Sequence, residues 1–498
     1  MKRKIHLAIT VILFCLWMPC LRAQVLPQDS LALVAFYNST GGPNWTNHRG
    51  WLTGPVNTWY GVTVEENRVL ELKFYSDNNL NGTIPKEIGG LYELKTLVIG
   101  NNLNLTGVIP EAIFNIDSLV WFGIGNCSIT GTIPNTIGNC SLLKELDLSE
   151  NSLTGSIPPE IGNLDSLLFL DLHGNQLTGS IPEGLGNCTK LWELLLFNNQ
   201  LSGNIPSTLV NCNQLSVLNL SDNRLTGSLP ENFSSFFLNY ENPISLNVSH
   251  NELGDSIPES WGGLYFSIDA LDISYNHFFY LPVNCSWLIT FFSIDGNKLT
   301  FDYLEPHYHA YQVGLYYFFD FSPQDEIGEK IDTALVKGSN YYIYSGTGGE
   351  YCNYKWYKNG ELILESPEAD TLHLNNITDA DTGIYNCVVE NTLVPMLLYR
   401  RSVHISITTV GMEELSGQNV TVYPNPCRDM LAIETSLPVN SGTVTLTDLQ
   451  GRLLMQQPWP QNATKAMFNL KQYAPGVYLM RLIADKKQVA ETKLVVAK

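Results

Sequence analysis

Residues 143–166 read LKELDLSENSLTGSIPPEIGNLDS, and this stretch contains the pattern that decides the fold. Its frame, L-x-x-L-x-L-x-x-N-x-L, recurs through the middle of the chain, with the asparagine position repeating every 21–28 residues. That position is held by Asn102, Cys127, Asn151, Asn175, Asn199, Asn223, Asn251, Asn276 and Asn297. With a looser first copy around Leu72 and Leu80, about ten repeats extend from about Val69 to Tyr303.

The alternating L-x-L piece of each repeat predicts a short strand with one buried face. A single repeat cannot bury its own apolar side chains, so successive strands are expected to stack in parallel into a curved solenoid. The asparagine lies where the chain leaves the strand, and its amide can pair backbone groups that the turn would otherwise bury unsatisfied. Cys127 replaces it once, and a thiol pairs such groups only weakly.

The second half of the repeats reads LTGVIP, ITGTIP, LTGSIP, LSGNIP or LTGSLP, and here the chain resembles the plant-type leucine-rich repeat. The resemblance covers residues 25–303 and places an N-terminal cap at 24–68 and the repeats at 69–303. In the cap, Trp59, Gly61 and Val62 match the family's W-x-G-V motif, but the family's usual cysteine pair is missing. The resemblance implies binding of proteins or peptides, and sometimes glycans, on the concave sheet.

The x positions of the frame point away from the core, and bulky side chains cluster there in the third to sixth repeats. The aromatic members are Trp121, Phe169, Trp192 and Phe197, and their neighbours are His173, Leu195, Lys144, Glu145, Asp171 and Glu193. Exposed aromatic side chains ringed by charge are typical of an interface core, so the pattern predicts a partner-binding site. The alternative is that these side chains only pack sideways between neighbouring strands.

The N-terminus, MKRKIHLAITVILFCLWMPCLRA, predicts a secretory signal peptide over residues 1–23. Its apolar run is short for a membrane span, and a lipoprotein signal that retains Cys20 is the alternative. No later stretch is apolar and long enough to cross a bilayer, so the role of a plant membrane receptor does not carry over. The mature chain keeps Cys127, Cys140, Cys188, Cys212, Cys285, Cys352, Cys387 and Cys427.

Most of these cysteines are expected to be buried thiols that act as small apolar side chains. Cys188 and Cys212 are one repeat apart, so a disulfide between them is the alternative. After Tyr303, an aromatic segment from His307 to Phe321 is expected to cover the open core of the last repeat. His307 and His309 form a weak metal signal, and packing is the favoured interpretation.

Residues 304–409 are predicted to contain this connecting segment and a second domain built of short strands. YKWYKNG at 354–360 and DADTGIYNC at 379–387 resemble an immunoglobulin-like domain, with Trp356 as the core tryptophan and Tyr385 at the tyrosine corner. The strand that should carry the partner of Cys387 reads NYYIY, so the inter-sheet disulfide is expected to be absent. The domain is interpreted as a spacer or a second binding module.

After a linker at 410–418, residues 419–498 alternate apolar and polar residues over about seven predicted strands. The order of Pro424-Asn425-Pro426, Gly451-Arg452 and Pro475-Gly476-Val477-Tyr478 resembles the type A C-terminal sorting domain of type IX secretion. The resemblance implies a Gram-negative bacterium, contact with the outer-membrane secretion machinery, and removal of the tail from a released or surface-attached product. The alternative is an ordinary terminal sandwich.

Composition excludes several classes of protein. The 498 residues include 48 acidic and 28 basic ones, a net charge of −20, which argues against nucleic acid as a partner. Both basic ends are predicted to be removed, so the exported part is more acidic still. We find no G-x-S-x-G, Walker, H-E-x-x-H or G-x-G-x-x-G motif and predict no catalytic residue, cofactor or metal site.

The sequence therefore predicts a mainly β chain with short helical or 3-10 segments, in which a leucine-rich repeat solenoid precedes two β-sandwich domains. We expect it to be secreted or attached to the outer cell surface by way of the periplasm. There it would bind a protein or peptide, in adhesion or in contact with a host or neighbouring cell. A glycan binder is the alternative function, and a hydrolase with its site on the repeat face is the third.

Overall fold

The computed structural model describes residues 25–74, 77–238, 243–262, 267–283, 287–408, 420–423, 427, 430–447, 452–474, 476–484 and 487–496. The predicted signal peptide and linker lie outside these described residues. The chain divides into two compact units: Met1–Ala334 with Ser339–Ser406 form one, and Leu335–Gly338 with Ile407–Lys498 form the other. Solenoid and second domain thus share the first unit, and the second holds the C-terminal tail.

Twelve strands of the described residues form the main sheet of the solenoid. In sheet order they are Val62–Glu65, Arg68–Lys73, Thr96–Val98, Trp121–Gly123, Glu145–Asp147, Phe169–Asp171, Glu193–Leu195, Val217–Asn219, Ser245–Asn247, Ser267–Asp272, Leu288–Ser293 and Tyr316–Asp320. The first two strands are antiparallel, and every later neighbour is parallel, as the repeat pattern predicts.

Parallel strands that begin near the asparagine positions form two further sheets. One consists of Gly82–Thr83, Asn102–Val108, Cys127–Gly131 and Ser152–Leu153, and the other of Thr178–Gly179, Gln200–Gly203, Arg224–Gly227, Glu252–Ser256 and His277–Tyr280. The 3-10 segments of the repeats are Lys86–Gly90, Glu111–Asn115, Asn135–Asn139, Pro159–Asn163, Glu183–Asn187, Ser207–Asn211, Glu231–Leu238 and Glu259–Trp261. Leucine and isoleucine side chains between these layers are almost completely buried, and this stack of apolar rows is the core.

The N-terminal cap closes the first repeat with a helix, Pro27–Ser39, and two 3-10 turns, Gly42–Asn44 and Val56–Thr58. Its Asp29 is fully buried, accepts a hydrogen bond from the backbone N–H of Val69 (2.9 Å) and pairs with Arg68 (3.1 Å). Trp51 packs between Trp45 and Trp59, with ring centroids 4.9 and 4.7 Å apart. These contacts hold the cap on the solenoid where the family's cysteine pair is missing.

The asparagines at the repeated frame position, here called the asparagine ladder, make the hydrogen bonds to backbone groups that the sequence predicts. Asn175 is buried; its Oδ1 accepts from the N–H of Leu153 (3.0 Å), and its Nδ2 donates to the carbonyls of Leu148 (3.0 Å) and Leu172 (3.1 Å). One amide thus joins two successive turns. Cys127, at the same position, reaches the carbonyls of Ile99 and Gly125 only at 3.9 and 3.7 Å through its thiol, as expected of a weak donor.

Replacing Asn175 by alanine is expected to lower the free energy of unfolding by roughly 1–3 kcal/mol, because buried backbone groups lose their partners. Asn187→Ala is the matched control, since Asn187 is an exposed asparagine at the end of a 3-10 segment. Denaturant unfolding of both variants measures the difference. Equal stabilities for the two would contradict this role of the ladder.

The seven cysteines among the described residues are buried and free, and Cys285 lies outside the described part of the chain. Burial raises the pKa of Cys188 to about 12 and that of Cys212 to about 11. Their sulfurs approach the carbonyls of Ile161 and Leu185, respectively, at 3.5 Å. The structure therefore has these two residues as buried thiols, the alternative that the sequence favours.

The main sheet continues one strand beyond the predicted end of the repeats at 303. Helix Phe301–Gln312 leads into strand Tyr316–Asp320, which pairs in parallel with Leu288–Ser293. The sequence frame misses this unit because the helix replaces the L-T-G-x-I-P half of a repeat. Aromatic side chains of the segment pack on the last repeat: the ring centroids of Phe292 and Phe319 are 5.4 Å apart.

His307 is part of this packing and is not paired with His309, which is exposed. One ring nitrogen of His307 is 2.9 Å from the carbonyl oxygen of Pro282 and the other is 2.7 Å from the hydroxyl of Tyr316. A neutral imidazole satisfies both, because Nε2–H donates to the carbonyl and Nδ1 accepts from the hydroxyl. Burial lowers the pKa of His307 to about 4.

The lowered pKa predicts acid destabilisation. Above pH ~6.5 His307 is neutral in both states, whereas between about 6.5 and 4 only the unfolded chain takes up the proton, so stability falls as the pH falls. His307→Gln keeps a donor and an acceptor but does not titrate, and His309→Gln is the control. We expect the melting temperature of His307→Gln to fall less than that of the control over this range; equal falls would contradict the assignment.

The second domain of the first unit has two sheets. Five strands, Ile331–Val336, Leu397–Thr408, Gly383–Asn391, Cys352–Lys358 and Glu361–Ser366, form one, and Tyr341–Tyr344 with Thr371–Leu374 form the other. Trp356 is fully buried and donates from Nε1 to the carbonyl of Ala369 (2.7 Å). Tyr385 donates its hydroxyl proton to the carbonyl of Asp381 (2.8 Å), just after the 3-10 turn Asp379–Asp381, which is the expected tyrosine corner.

Hydrogen bonds tie this domain to the end of the solenoid. Glu305, on the helix, accepts from the N–H groups of Glu350 (3.0 Å) and Tyr351 (3.2 Å) and from the amide of Asn391 (2.6 Å). Asp302, one turn earlier, accepts from the N–H of Gly348 (2.8 Å). Such charge-assisted bonds at several points resist rotation. The second domain is therefore fixed to the solenoid, which the interpretation as a spacer did not anticipate.

The C-terminal unit contains seven described strands, the number expected from the sequence. Val420–Tyr423, Met430–Val439 and Ala463–Asn469 form one sheet, and Leu453–Pro458, Gly442–Thr447, Gly476–Ala484 and Lys487–Val496 form the other. Their buried faces share one apolar core that includes Ile433, Leu446 and Leu482. Residues 424–426, 451 and 475 of the predicted sorting motifs lie outside the described part. Together with the solenoid, these sheets confirm the predicted fold class.

Candidate functional site

The strand register sets side chains of four repeats side by side on the face of the main sheet that points away from the core, here called the open face. Trp121, Glu145, Phe169 and Glu193 are register partners on consecutive strands. Two residues further along, Gly123, Asp147, Asp171 and Leu195 form a second row. Because neighbouring strands lie about 4.8 Å apart, adjacent members of a row are in contact range.

These two rows line an open cavity of about 220 Å³. The apolar part of its lining consists of Trp121, Phe169 and Leu195. The acidic part consists of Glu145, Asp147, Asp171 and Glu193. Six of these seven residues are sequence-predicted candidates. Gly123 adds no side chain to the second row, which leaves room beside the ring of Trp121.

Trp192 and Lys144 do not line the cavity, but in sequence they directly precede the lining residues Glu193 and Glu145. Both immediately precede a strand of the main sheet, and both are exposed, Trp192 by 41%. Phe169, inside the cavity, is 37% exposed. Large aromatic side chains left in water at this level form an apolar patch available to a partner.

His173 and Phe197 belong to a different cluster. Their rings stack with centroids 4.3 Å apart, and Nδ1 of His173 lies 2.6 Å from Oδ1 of Asp171. Nε2 of His173 is 3.3 Å from Oε1 of Glu150. The contacts of these two residues agree with the alternative interpretation of the sequence, in which such side chains pack sideways between neighbouring strands.

The cavity is electrostatically negative. Burial raises the pKa of Asp171 above its ordinary value, although its hydrogen bonds to His173 act in the opposite direction. Burial and the charge of Asp171 raise the pKa of Glu193. Carboxylates held close together in a partly buried site favour the approach of positive charge.

Sequence analysis missed two features of this site. Asp147 lies between Gly123 and Asp171 in the second row and holds Ser149, whose hydroxyl donates to Oδ1 of Asp147 at 2.6 Å. The Nζ of Lys73 lies 5.9 Å from the ring centroid of Trp121. Asp147 occupies the same frame position as Asp171, so the repeat alignment itself was a signal that could have identified it.

Among the described residues, no group of three or more histidine, cysteine, aspartate or glutamate side chains is arranged to hold a metal ion. A search of the same residues for a helix with the length and hydropathy of a membrane span finds none.

Family models match three parts of the chain. The leucine-rich repeat models match residues 118–177, 214–236 and 242–264, the immunoglobulin domain model matches 343–407, and the secretion system C-terminal sorting domain model matches 421–497. The chain therefore contains leucine-rich repeats, an immunoglobulin domain and a C-terminal sorting domain. The sorting domain indicates export by type IX secretion to the cell surface or the outside. Repeats of this kind typically bind proteins or peptides and are generally not enzymes.

Three solved structures are similar to part of this chain. A plant ice-binding protein is 29% identical over 56% of this chain and 88% of its own, with a TM-score of 0.48. The PEPR1–AtPEP1 structure is 26% identical over 62% of this chain and 43% of its own, with a TM-score of 0.49. The ectodomain of the receptor kinase GASSHO1/SCHENGEN3 from Arabidopsis thaliana is 23% identical over 62% of this chain and 45% of its own, with a TM-score of 0.45. The chain spans less than half the length of the matched chains in the PEPR1–AtPEP1 and GASSHO1/SCHENGEN3 structures.

Proposed function

We propose that the exported protein binds a protein or peptide partner on its open face, in adhesion or in contact with a host or neighbouring cell. The cavity between Trp121, Phe169 and Leu195, with Trp192 exposed beside it, is the observation that carries this proposal. Aromatic side chains that are central, partly exposed and ringed by polar groups are the ones that contribute most binding energy in protein interfaces.

The arrangement of the site supports binding on a rigid surface. The cavity residues come from four consecutive strands whose opposite faces are buried in the core. Asparagines of the ladder fix the turns after three of these strands, and Cys127 follows the first. A preformed site of this kind costs little conformational entropy when a partner binds. We propose a binding role and not a catalytic one for these carboxylates.

A glycan is the second candidate partner. Phe169 and Trp192 present partly exposed aromatic rings, and a sugar can stack its apolar face on such rings while carboxylates accept its hydroxyl protons. This arrangement suits a saccharide unit as well as an amino-acid side chain, so the two candidates differ in the ligand and share the surface.

The experiment that separates them is capture by immobilised residues 24–418, the product expected after removal of the signal peptide and the tail. Cell-surface extracts from host and neighbouring cells are applied with and without protease treatment, and the same protein is applied to a glycan array. We expect capture of a protease-sensitive polypeptide that mass spectrometry identifies. Retention that survives protease and a positive array would favour the glycan, and no retention from either would contradict binding on this face.

A further inference from the structure

We propose that the cavity on the open face receives an arginine side chain of the polypeptide partner. This inference rests on the proposed function, because it names the chemical group that the binding face recognises. It is carried by the combination of stacking surfaces and carboxylates around one cavity of about 220 Å³.

The charge of the cavity lining favours a cation. All charged residues lining the cavity are acids: Glu145, Asp147, Asp171 and Glu193. Two basic groups at the edge of the cavity already pair with acids: Nζ of Lys73 is 2.7 Å from Oε1 of Glu71, and His173 pairs with Asp171 and Glu150. An incoming cation therefore meets carboxylates that are partly removed from water, where their attraction is stronger than at an open surface.

The order of side chains across the strands favours a planar cation. Phe169 stands in the first row between Glu145 and Glu193, one on each neighbouring strand. A planar cation stacked on the Phe169 ring would have a carboxylate on both sides, each about one strand spacing away. Asp147 and Asp171 are direct neighbours in the second row, close enough for one guanidinium to contact both.

The aromatic walls favour arginine. The ammonium of Lys73 already lies 5.9 Å from the ring centroid of Trp121, so this wall attracts a cation within the protein itself. Guanidinium groups stack on aromatic rings and bind carboxylates with two parallel hydrogen bonds, whereas an ammonium is a strongly hydrated point charge. The alternation of rings and carboxylates therefore fits arginine better than lysine.

The test uses the protein without its signal peptide, residues 24–498, as the target for selection from a random twelve-residue peptide library. Binders of the wild type are expected to share an arginine at one position. Replacing that arginine with citrulline, its neutral isostere, should weaken binding of the synthetic peptide at least tenfold. Glu145→Gln with Glu193→Gln should cause a comparable loss, while Glu87→Gln with Glu231→Gln, two exposed glutamates of 3-10 segments, should cause none.

The outcomes separate this inference from the proposed function. Binders that lose affinity with Trp121→Ala but carry no shared arginine and tolerate the glutamine pair would overturn the arginine site and leave open-face binding intact. A shared lysine with the same sensitivity to the glutamine pair would overturn the choice of arginine. Binders insensitive to every open-face variant, or none at all, would contradict both.

Discussion

The variant Trp121→Ala with Trp192→Ala is expected to bind the captured partner at least tenfold more weakly than the wild type while remaining folded. Trp121 walls the cavity and Trp192 is exposed beside it, so both lie where a partner would bury them. Truncation of a central interface aromatic costs roughly 2 kcal/mol or more, and each 1.4 kcal/mol is about tenfold in affinity. Titration of the partner on immobilised protein measures the change.

Tyr92→Ala with Leu142→Ala is the matched control for this pair. Tyr92 and Leu142 are also exposed large apolar side chains, but they lie in turns outside the strands of the main sheet. The control is expected to bind as the wild type does. If the two double variants bind equally well, the aromatic cluster on the open face is not where the partner binds.

The second large effect concerns export. A periplasmic reporter fused to residues 410–498 is expected to reach the cell surface or the medium of a bacterium with type IX secretion, and the same reporter without the tail is expected to stay in the periplasm. The tail is a compact unit with its own apolar core, so it can fold when fused to another protein. Fractionation followed by reporter assay gives the exported share, which should change from nearly none to most of the reporter.

Two variants of the tail distinguish a loss of export caused by unfolding from a loss caused by missing surface contacts. Leu446→Asp places a charge at a fully buried position of the tail core and should abolish export by unfolding the tail. Lys471→Glu changes an exposed residue and should leave the tail folded, so any loss of export with this variant reports on contacts and not on folding. If the fusion with the unaltered tail stayed in the periplasm, the tail would not be an export signal.

The parts of the structure that follow a fixed period could be predicted from the sequence. Leu146, Leu170 and Leu194 occupy one frame position in three repeats, and each is buried on its strand because parallel stacking leaves no other place for it. The role of Asn175 followed from the same reasoning, since a turn that repeats must satisfy its backbone groups in the same way each time. Because the repeats are periodic, a structural role that is assigned correctly to a residue in one repeat applies to the same frame position in the others.

The features that were missed depend on contacts between segments far apart in the sequence. Glu305 binds the backbone of Glu350 and Tyr351 across a domain boundary, and no local pattern connects these positions. Strand Tyr316–Asp320 joins the main sheet although a helix stands where half a repeat would be. In both cases the signal is a tertiary contact and not a sequence frame.

The candidate site was only partly predictable from the sequence. The frame placed Trp121, Phe169 and Glu193 on the open face, as the structure has them, because alternation along a strand decides which face a side chain occupies. It did not distinguish the residues that line the cavity from those that stack aside, such as His173 on Phe197. That distinction depends on side-chain directions, which spacing alone does not determine.

The central claim, that the open face is where the partner binds, is tested most directly by site-specific photocrosslinking. A benzophenone amino acid is placed at Lys144, which directly precedes the cavity residue Glu145, and separately at Lys86, another exposed lysine, on a 3-10 segment outside the main sheet. Each protein is mixed with the captured partner and irradiated. We expect a crosslinked polypeptide for Lys144 and none for Lys86, whereas crosslinking from Lys86 alone, or equally from both positions, would show that the partner does not bind on the open face.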